Sequence, residues 1–136
     1  MGKRPASVQH LRRGSTVGRK ASPKYRNKKV EFDGHRFDSI RECERYKELT
    51  ALERNGKIAE LELQPKFWLK CGGKDVLMRS DRYPNGRRCS YRADFSFIDD
   101  RGERHVEDVK GMDTNVSRLR RAMVEAEYGV RVEIVR

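Results

Sequence analysis

The segment from Tyr91 to Lys110 constrains the fold most, because it combines strand-like alternation with a turn. Its first half has apolar side chains at every second position, namely Tyr91, Ala93, Phe95 and Phe97. A period of two predicts a β-strand with one buried face. The Asp-Asp-Arg-Gly sequence at 99–102 predicts a turn, after which residues 103–110 return as an antiparallel partner strand. The chain is therefore expected to contain a β-hairpin that other elements cover.

A first helix is predicted before this hairpin from its capping residues. The Ser-x-x-Glu spacing of Ser39 and Glu42 is typical of a capping box, with Asp38 as the alternative cap. The helix is predicted over residues 40–54, and the Asn-Gly pair that follows is typical of a helix end.

A second helix is predicted after the hairpin. Asp113 or Thr114 can cap it, it is expected to cover residues 115–128, and Gly129 is expected to end it. Its predicted apolar side consists of Val116, Leu119, Met123 and Ala126. Alternation over residues 130–134 then predicts a last strand.

Further extended segments and a loop are predicted outside the hairpin and the two helices. Apolar residues over 58–69 indicate a long extended region, in which Pro65 favours an edge or a bulge. A small hairpin is predicted over 30–37, a short strand over 76–78 and a polar loop over 81–88. The order of helix, strands, helix and strand predicts an α/β fold.

Positive charge is concentrated at the amino end of the chain. Residues 1–30 hold ten basic residues and no acidic one, whereas residues 31–136 hold 22 basic and 21 acidic residues. We predict a disordered basic arm over 1–30, which has few apolar residues, and a folded domain over 31–136. The arm, including Lys28 and Lys29, is expected to contact nucleic-acid phosphates, with a merely solubilising extension as the alternative.

Composition argues against several classes of protein. Only 35% of residues are hydrophobic, and no run approaches the ~20 apolar residues that span a bilayer. No segment resembles a secretion signal, so we expect a cytoplasmic protein. The three cysteines form no CxxC pair and no ligand spacing with histidines, so neither a disulfide framework nor a zinc site is expected.

Charged residues of the hairpin form a candidate metal site. Asp94 and Asp108 belong to adjacent strands, and Asp108 and Lys110 lie two residues apart and so project from one face. Carboxylates held together favour a cation between them, and Mg²⁺ would find a further oxygen ligand in the Val109 carbonyl. Lys110 would orient or deprotonate a water beside the metal. The alternative is a surface ladder of opposite charges.

These residues resemble the signature of the PD-(D/E)xK nuclease superfamily. The resemblance rests on Tyr-Arg-Ala-Asp-Phe at 91–95, the hairpin, and Glu-Asp-Val-Lys-Gly at 107–111. Phe-Asp-Ser at 37–39 and Leu-Gln-Pro-Lys-Phe at 63–67 are similar to small basic bacteriophage proteins assigned to that superfamily. Phage Holliday-junction-resolving endonucleases are among their characterised analogues.

The resemblance implies a restriction-endonuclease-like αβββαβ core, in which two helices flank a central mixed sheet. The sequence departs from the family pattern at Ala93, where proline is usual, and at Asp108, where glutamate is commoner. An acidic residue on the first helix is also implied, for which Glu42 is favoured over Glu44. Gln64 would support the metal or a water, unless it is an ordinary strand residue. The implied catalytic residues are Glu42, Asp94, Asp108 and Lys110, and the implied metal ligands are Glu42, Asp94, Asp108 and Val109.

The implied activity is Mg²⁺-dependent hydrolysis of DNA phosphodiesters, with Mn²⁺ able to replace Mg²⁺. Branched DNA such as a Holliday junction is the expected substrate, cut by a homodimer because symmetric resolution needs two active sites. A phage-encoded enzyme would act in the host cytoplasm. Ser117, Arg118 and Arg121 are candidate DNA contacts at the start of the second helix, unless they form an ordinary solvated face.

Two other functions stay open at this stage. The chain can be a non-catalytic basic protein that binds nucleic acid and whose acidic residues are structural. It can also be a nicking or packaging-associated endonuclease of the same fold. DNA binding alone separates none of these functions.

Overall fold

The structure, a computed structural model, describes residue 2 and residues 28–136. In chain order the elements are β1 (Val30–Phe32), β2 (His35–Phe37), α1 (Ile40–Arg54), β3 (Ile58–Leu63), β4 (Lys66–Trp68), β5 (Lys70–Cys71), β6 (Lys74–Asp75), β7 (Leu77–Met78), β8 (Arg87–Arg88), β9 (Ser90–Arg92), β10 (Phe95–Asp99), β11 (Arg104–Val109), α2 (Asn115–Tyr128) and β12 (Val132–Val135). Most of the basic arm predicted over residues 1–30 lies outside the described residues.

A mixed four-stranded sheet forms the centre of the described fold. Its strand order is β12-β11-β10-β3, in which β10 runs antiparallel to β3 and β11, while β11 and β12 run parallel. The predicted hairpin of β10 and β11 is confirmed, and Phe95 pairs with Glu107 across it. The fold is therefore α/β, as the order of elements predicts.

The two helices pack against separate clusters of core residues. Leu49 of α1 packs with Phe37, Phe95 and Phe97, and Val124 of α2 packs with Val106 and Val132. Cross-strand neighbours share a face of a sheet, so Phe95 lies on the α1 face with Glu107, while Ser96 lies on the α2 face with Val106. The sheet is thus covered on both sides.

Both helix predictions are confirmed in their bounds. Ser39 caps α1, because its Oγ accepts a hydrogen bond from the Glu42 N–H at 3.1 Å. Thr114 caps α2 in the same way, with its Oγ1 accepting from the Ser117 N–H at 3.1 Å. Gly129 ends α2 in the left-handed conformation, at φ 64°, that glycine adopts without a Cβ clash.

The predicted apolar side of α2 is wrong. Val116 and Leu119 are 61% and 63% exposed, and Ala126 is exposed too, although Met123 packs against the second core cluster. The helix instead turns Val124 fully inward. The inner side is therefore shifted by one position and includes the half-buried polar residues Ser117 and Arg120.

The strand predicted from Tyr91 onward is divided in two at Ala93 and Asp94. Its first part, β9, leaves the central sheet and pairs with β4 in a two-stranded ribbon. Gln64, at φ 52°, makes a matching break between β3 and β4. The Gln64 N–H donates to the Asp94 carbonyl at 2.8 Å, so hydrogen bonding continues across both breaks. Asp94 therefore lies where the chain passes from ribbon to sheet.

Other short ribbons extend from this region. The hairpin predicted over 30–37 and the strand predicted over 76–78 are confirmed as the β1–β2 pair and β7. The loop predicted over 81–88 is shorter than expected, because Arg87 and Arg88 pair with β7 as β8. No helix among the described residues is long and apolar enough to cross a membrane.

Candidate active site

Asp94 is held at the ribbon-to-sheet junction by bonds to β11. Its backbone N–H donates to the Glu107 carbonyl at 2.9 Å. Its carboxylate Oδ2 accepts a hydrogen bond from the Val109 N–H at 2.7 Å. The half-buried side chain is therefore fixed against the end of β11 where Asp108 and Lys110 lie.

Asp108 is nearly inaccessible and has two partners. Its Oδ2 accepts a hydrogen bond from the Tyr91 hydroxyl and lies 3.2 Å from the Lys110 Nζ. The side chain is 4% exposed. The ion pair agrees with the prediction that Asp108 and Lys110 project from one face. The pair thus places an ammonium group beside the carboxylate of Asp108.

The first turn of α1 contributes Glu42 and not Glu44. Glu42 is 5% exposed, and its backbone N–H is bonded to the Ser39 cap in the first turn of the helix. Glu44 is exposed and forms an ion pair with Arg41 at 3.9 Å. The buried position of Glu42 thus favours it over Glu44 as the candidate residue of α1, and its catalytic role stays a prediction.

The three carboxyl groups influence one another electrostatically. Burial raises the pKa of Glu42, and the charges of Asp38 and Asp108 raise it further. Burial also raises the pKa of Asp94 to about 8, with the Glu42 charge as the next largest cause and the Asp108 charge as a smaller one. The Val109 N–H opposes this shift by stabilising the ionised Asp94. Burial and mutual repulsion therefore both oppose simultaneous ionisation of these carboxyl groups.

The donor set of this cluster fits a hard divalent cation. Glu42, Asp94 and Asp108 offer only carboxylate oxygens, which Mg²⁺ and Mn²⁺ prefer, and a cation would favour their ionised forms. The Val109 N–H is used by Asp94, and the Val109 carbonyl as a ligand stays a prediction. We name Glu42, Asp94, Asp108 and Lys110 the acidic cluster.

Another set of three side chains lies closer together. Among the described residues, the ligand atoms of Asp99, Glu103 and His105 all fall within 4.8 Å of one another, a spacing that the carboxylates of the acidic cluster do not reach. The His105 Nε2 lies 2.7 Å from Asp99 and the Nδ1 lies 3.2 Å from Glu133. Both ring nitrogens are thus engaged by carboxylates, and the pKa of His105 is raised, first by the hydrogen bond to Asp99. This geometry is that of an ion pair at the β10–β11 turn.

Gln64 lies beside the acidic cluster and keeps an unusual backbone conformation. Its φ of 52° is costly for a residue with a Cβ, and such strain is commoner at functional sites than elsewhere. With Glu42 it lines a pocket of about 260 Å³ that Arg36 also lines. Gln64 therefore adjoins Glu42, and its role in supporting a metal or a water stays a prediction.

Tyr91 is a site residue that sequence reasoning assigned to the core. It is buried as predicted, yet its hydroxyl donates to Asp108. Arg121 also interacts with this hydroxyl, and its guanidinium contacts Asp113 at 2.6 Å. The signal in the sequence was a tyrosine rather than a phenylalanine in an apolar alternation, since a buried hydroxyl needs a partner.

The predicted DNA contacts fall into different environments. Lys28 and Lys29 are exposed, and Arg118 is exposed while pairing with Asp113 at 3.5 Å. Ser117 lines a pocket together with Lys110. Arg121 has a side chain only 12% exposed, and its guanidinium donates to both carboxylate oxygens of Asp113, at 3.2 and 2.6 Å, so it is less accessible to DNA than Arg118.

Residues 22–136 match the family described as Protein of unknown function (DUF1064), and the chain belongs to this family. No curated protein and no solved structure matches the chain. The description of this family assigns no activity.

Proposed function

We propose that the protein is a metal-dependent endodeoxyribonuclease of the PD-(D/E)xK type. The observation that carries the proposal is the convergence of three acidic side chains from α1, the β9–β10 junction and β11 beside one lysine. Desolvated carboxylates are costly to gather, and function is a common reason for such a cluster. The named residues are Glu42, Asp94, Asp108 and Lys110.

The architecture supports the same proposal. A helix, three strands, a second helix and a last parallel strand give the order αβββαβ through α1, β3, β10, β11, α2 and β12. The helices pack on opposite faces of this mixed sheet. This order resembles the restriction-endonuclease-like core. The carboxylates lie at one end of β11, where the core strands diverge from the β4–β9 ribbon.

Each residue has a distinct chemical role in this proposal. Glu42, Asp94 and Asp108 would hold Mg²⁺, and the bound ion supplies Lewis acidity and a more acidic water. The Val109 N–H fixes one Asp94 oxygen and so directs the other toward the cluster. Lys110, held 3.2 Å from Asp108, is placed to orient the attacking water or to neutralise charge that develops on phosphate.

The proposed substrate is DNA, recognised mainly through its backbone. The net charge of +11 and the ten basic residues of the arm favour a polyanion. Two pockets adjoin the acidic cluster, one lined by Glu42 and one by Lys110, and they leave room for a strand beside it. A branched phage DNA cut by a homodimer is the preferred substrate, on the strength of the family resemblance.

Cleavage assays test the activity directly. Wild-type protein is incubated with supercoiled, linear and four-way DNA in Mg²⁺ or Mn²⁺, beside Asp108→Asn and Lys110→Met. We expect each substitution to lower the rate by about 10² to 10⁴, the range for a group that acts in the transition state. Glu44→Gln is the matched control, because Glu44 is an exposed carboxylate two residues from Glu42, and it should cleave like wild type.

A non-catalytic DNA-binding protein is the second candidate, and one observation favours it. Asp108 already has a hydroxyl donor from Tyr91 and an ammonium from Lys110, so it is satisfied without a metal. This candidate predicts intact DNA with every metal while Asp108→Asn binds as wild type does. Intact substrates of all three kinds contradict the nuclease proposal.

The choice of substrate is tested separately from the activity. A four-way junction is compared with a duplex of the same sequence and length under single-turnover conditions. Preferential, paired cuts in the junction support a resolvase. Equal cutting of both substrates removes the resolvase assignment and favours a nicking or packaging-associated endonuclease.

A further inference from the structure

Two adjoining pockets form a trough that runs from the β7–β8 hairpin to the acidic cluster. Their volumes are about 390 Å³ and about 380 Å³, and Ser90 and Arg120 line both of them, so they share a wall. Tyr83 lines the hairpin end, and Lys110 lines the end at the acidic cluster. We call this surface the arginine trough, defined by Tyr83, Arg87, Arg88, Arg92, Lys110 and Arg120.

The arginine trough carries only positive charge. Five basic side chains and no aspartate or glutamate line the two pockets. Arg88 is partly neutralised by Asp75 at 3.2 Å, and Lys110 by Asp108 at 3.2 Å. Of the four arginines that line the trough, Arg87, Arg92 and Arg120 make no ion pair with any residue of the described range, whereas Arg88 does. Unpaired arginines gathered along one surface favour a polyanionic partner.

Exposed apolar groups alternate with these charges. The Tyr83 ring is 36% exposed, and the guanidinium groups of Arg82 and Arg87 each lie 5.6 Å from its centre. Met78 and Val116 line the trough and are 57% and 61% exposed. An aromatic ring braced by arginines, with apolar neighbours, is suited to stacking on a nucleobase while the charges hold phosphates.

The size of the trough discriminates between kinds of nucleic acid. Each pocket has a volume typical of a site for one small molecule. Such a pocket can hold about one nucleotide, whereas a DNA duplex is too large to enter it. Bases inside a duplex present their edges, whereas an unpaired strand presents faces that an aromatic side chain can stack on. The trough is therefore shaped for one strand.

We propose that the arginine trough binds a single-stranded segment of nucleic acid that continues into the strand at the acidic cluster. The direction of the strand rests on the proposed nuclease function, because Lys110 belongs to both surfaces. The binding itself requires no cleavage. A substrate with an unpaired arm next to a duplex would thus occupy the trough and the acidic cluster together.

Fluorescence anisotropy on the full chain tests this proposal in EDTA, where no metal-dependent cutting occurs. The probes are a labelled oligothymidylate of about 15 nucleotides and a duplex of equal length, a size that spans several nucleotide sites. Tyr83→Ala should weaken binding of the single strand about fivefold or more, while Tyr83→Phe keeps it. Arg87→Ala combined with Arg120→Ala should lower the salt slope by about 1.4, for two lost phosphate contacts.

A matched control removes the same charge elsewhere. Arg101→Ala combined with Arg131→Ala takes two exposed arginines from outside the trough. This control variant reports the loss of affinity for the single strand that is expected from the lower net charge alone. Thermal unfolding of every variant is compared with that of the wild type to check that it is folded. If the Arg87 and Arg120 double variant binds the single strand like the control, the proposal is wrong.

Photo-cross-linking locates the bound strand without relying on affinity. An oligonucleotide with iodouracil in place of thymine is irradiated on the full chain, and peptides are identified by mass spectrometry. Cross-links at Tyr83 support the trough, whereas cross-links confined to residues 1–30 overturn it. Trough binding with no metal-dependent cleavage would refute the proposed function and leave this inference standing. Metal-dependent cleavage with no trough binding would refute this inference alone.

Discussion

At the scale of single residues, the orientation of the carboxylates in the acidic cluster depends on neighbouring groups that donate hydrogen bonds or carry positive charge. Tyr91 and Lys110 both contact one oxygen of Asp108, and the Val109 N–H fixes Asp94. These contacts set the direction of each carboxylate before any ligand arrives. Pre-set direction is what a metal or substrate site requires, because reorganisation during the reaction is costly.

Removing the Tyr91 hydroxyl should loosen Asp108 without a large change in volume. We expect Tyr91→Phe to lower the free energy of unfolding by about 1 to 3 kcal/mol, since a buried acceptor loses a donor. Urea denaturation measures the loss. Tyr128→Phe is the matched control, because the Tyr128 hydroxyl donates at 2.7 Å to the Trp68 carbonyl at an exposed position, and its loss should be smaller. Equal losses in the two variants would contradict a special role for Tyr91.

Two substitutions at Gln64 can separate the effect of its backbone strain from the function of its side chain. Its left-handed φ of 52° suits glycine, so Gln64→Gly should be about 1 to 2 kcal/mol more stable to unfolding than Gln64→Ala. Both variants lose the amide, and both should cleave DNA more slowly if it supports the metal or a water. Thermal unfolding and cleavage rates are measured on the same samples. Wild-type rates in both would leave Gln64 with a purely structural role.

At the scale of elements, α1 is fixed to the sheet by a buried ion pair. The guanidinium of Arg45 donates to both carboxylate oxygens of Glu107, at 2.8 and 2.6 Å. Glu107 is 3% exposed. It lies on the α1 face of β11, and Asp108 lies on the opposite face. This pair sets the position of the helix that carries Glu42.

Breaking this ion pair should destabilise the fold more than removing it entirely. Arg45→Met leaves a buried carboxylate without its partner and should cost about 3 to 5 kcal/mol of unfolding free energy. Adding Glu107→Gln to that variant should recover a large part of the loss, because the unpaired charge is removed. Urea denaturation of both variants gives the two values. If the double variant is no more stable than Arg45→Met, burial of charge is not the cause.

The bounds of an element could be predicted from the sequence where residues close to its ends determine them. The bounds of both helices followed from caps and glycines, which act within a few residues. The inner side of α2 was not predictable, because Val116 and Val124 are both apolar and only contact with the sheet distinguishes them. The break at Asp94 was also hidden, since it depends on pairing between β4 and β9, which are distant in sequence.

At the scale of the whole molecule, one end of the sheet carries the acidic cluster and the turn of β10 and β11 lies at the other. Hairpin register allowed the convergence of Asp94, Asp108 and Lys110 to be predicted from the sequence. The choice of Glu42 over Glu44 needed the position of α1 on the sheet. The arginine trough was not predicted, because it depends on the pairing of β7 with β8, and the residues of β8 were predicted to lie in a loop.

The β10–β11 turn should make stability depend on pH. Asp99 and Glu133 raise the pKa of His105 in the folded state. The contribution of protonated His105 to the free energy of unfolding is therefore complete below about pH 6.5, and it is lost as the pH rises through the pKa of the folded state. We expect His105→Asn to cost about 0.5 to 1 kcal/mol near pH 6, a value reduced for partial exposure, and less at high pH. Urea denaturation across this range measures it. A cost independent of pH would indicate that His105 acts only by stacking on Phe97.

Metal-directed cleavage of the polypeptide would show where a divalent cation binds the chain. Fe²⁺ bound in place of Mg²⁺ generates hydroxyl radicals with ascorbate and peroxide, which cut the polypeptide next to the ion. We predict cuts near Glu42, Asp94 and Asp108, suppressed by excess Mg²⁺ and absent in Asp94→Asn. Cuts confined to the region of Asp99, Glu103 and His105, or no cuts at all, would contradict the proposal that the acidic cluster holds a catalytic metal.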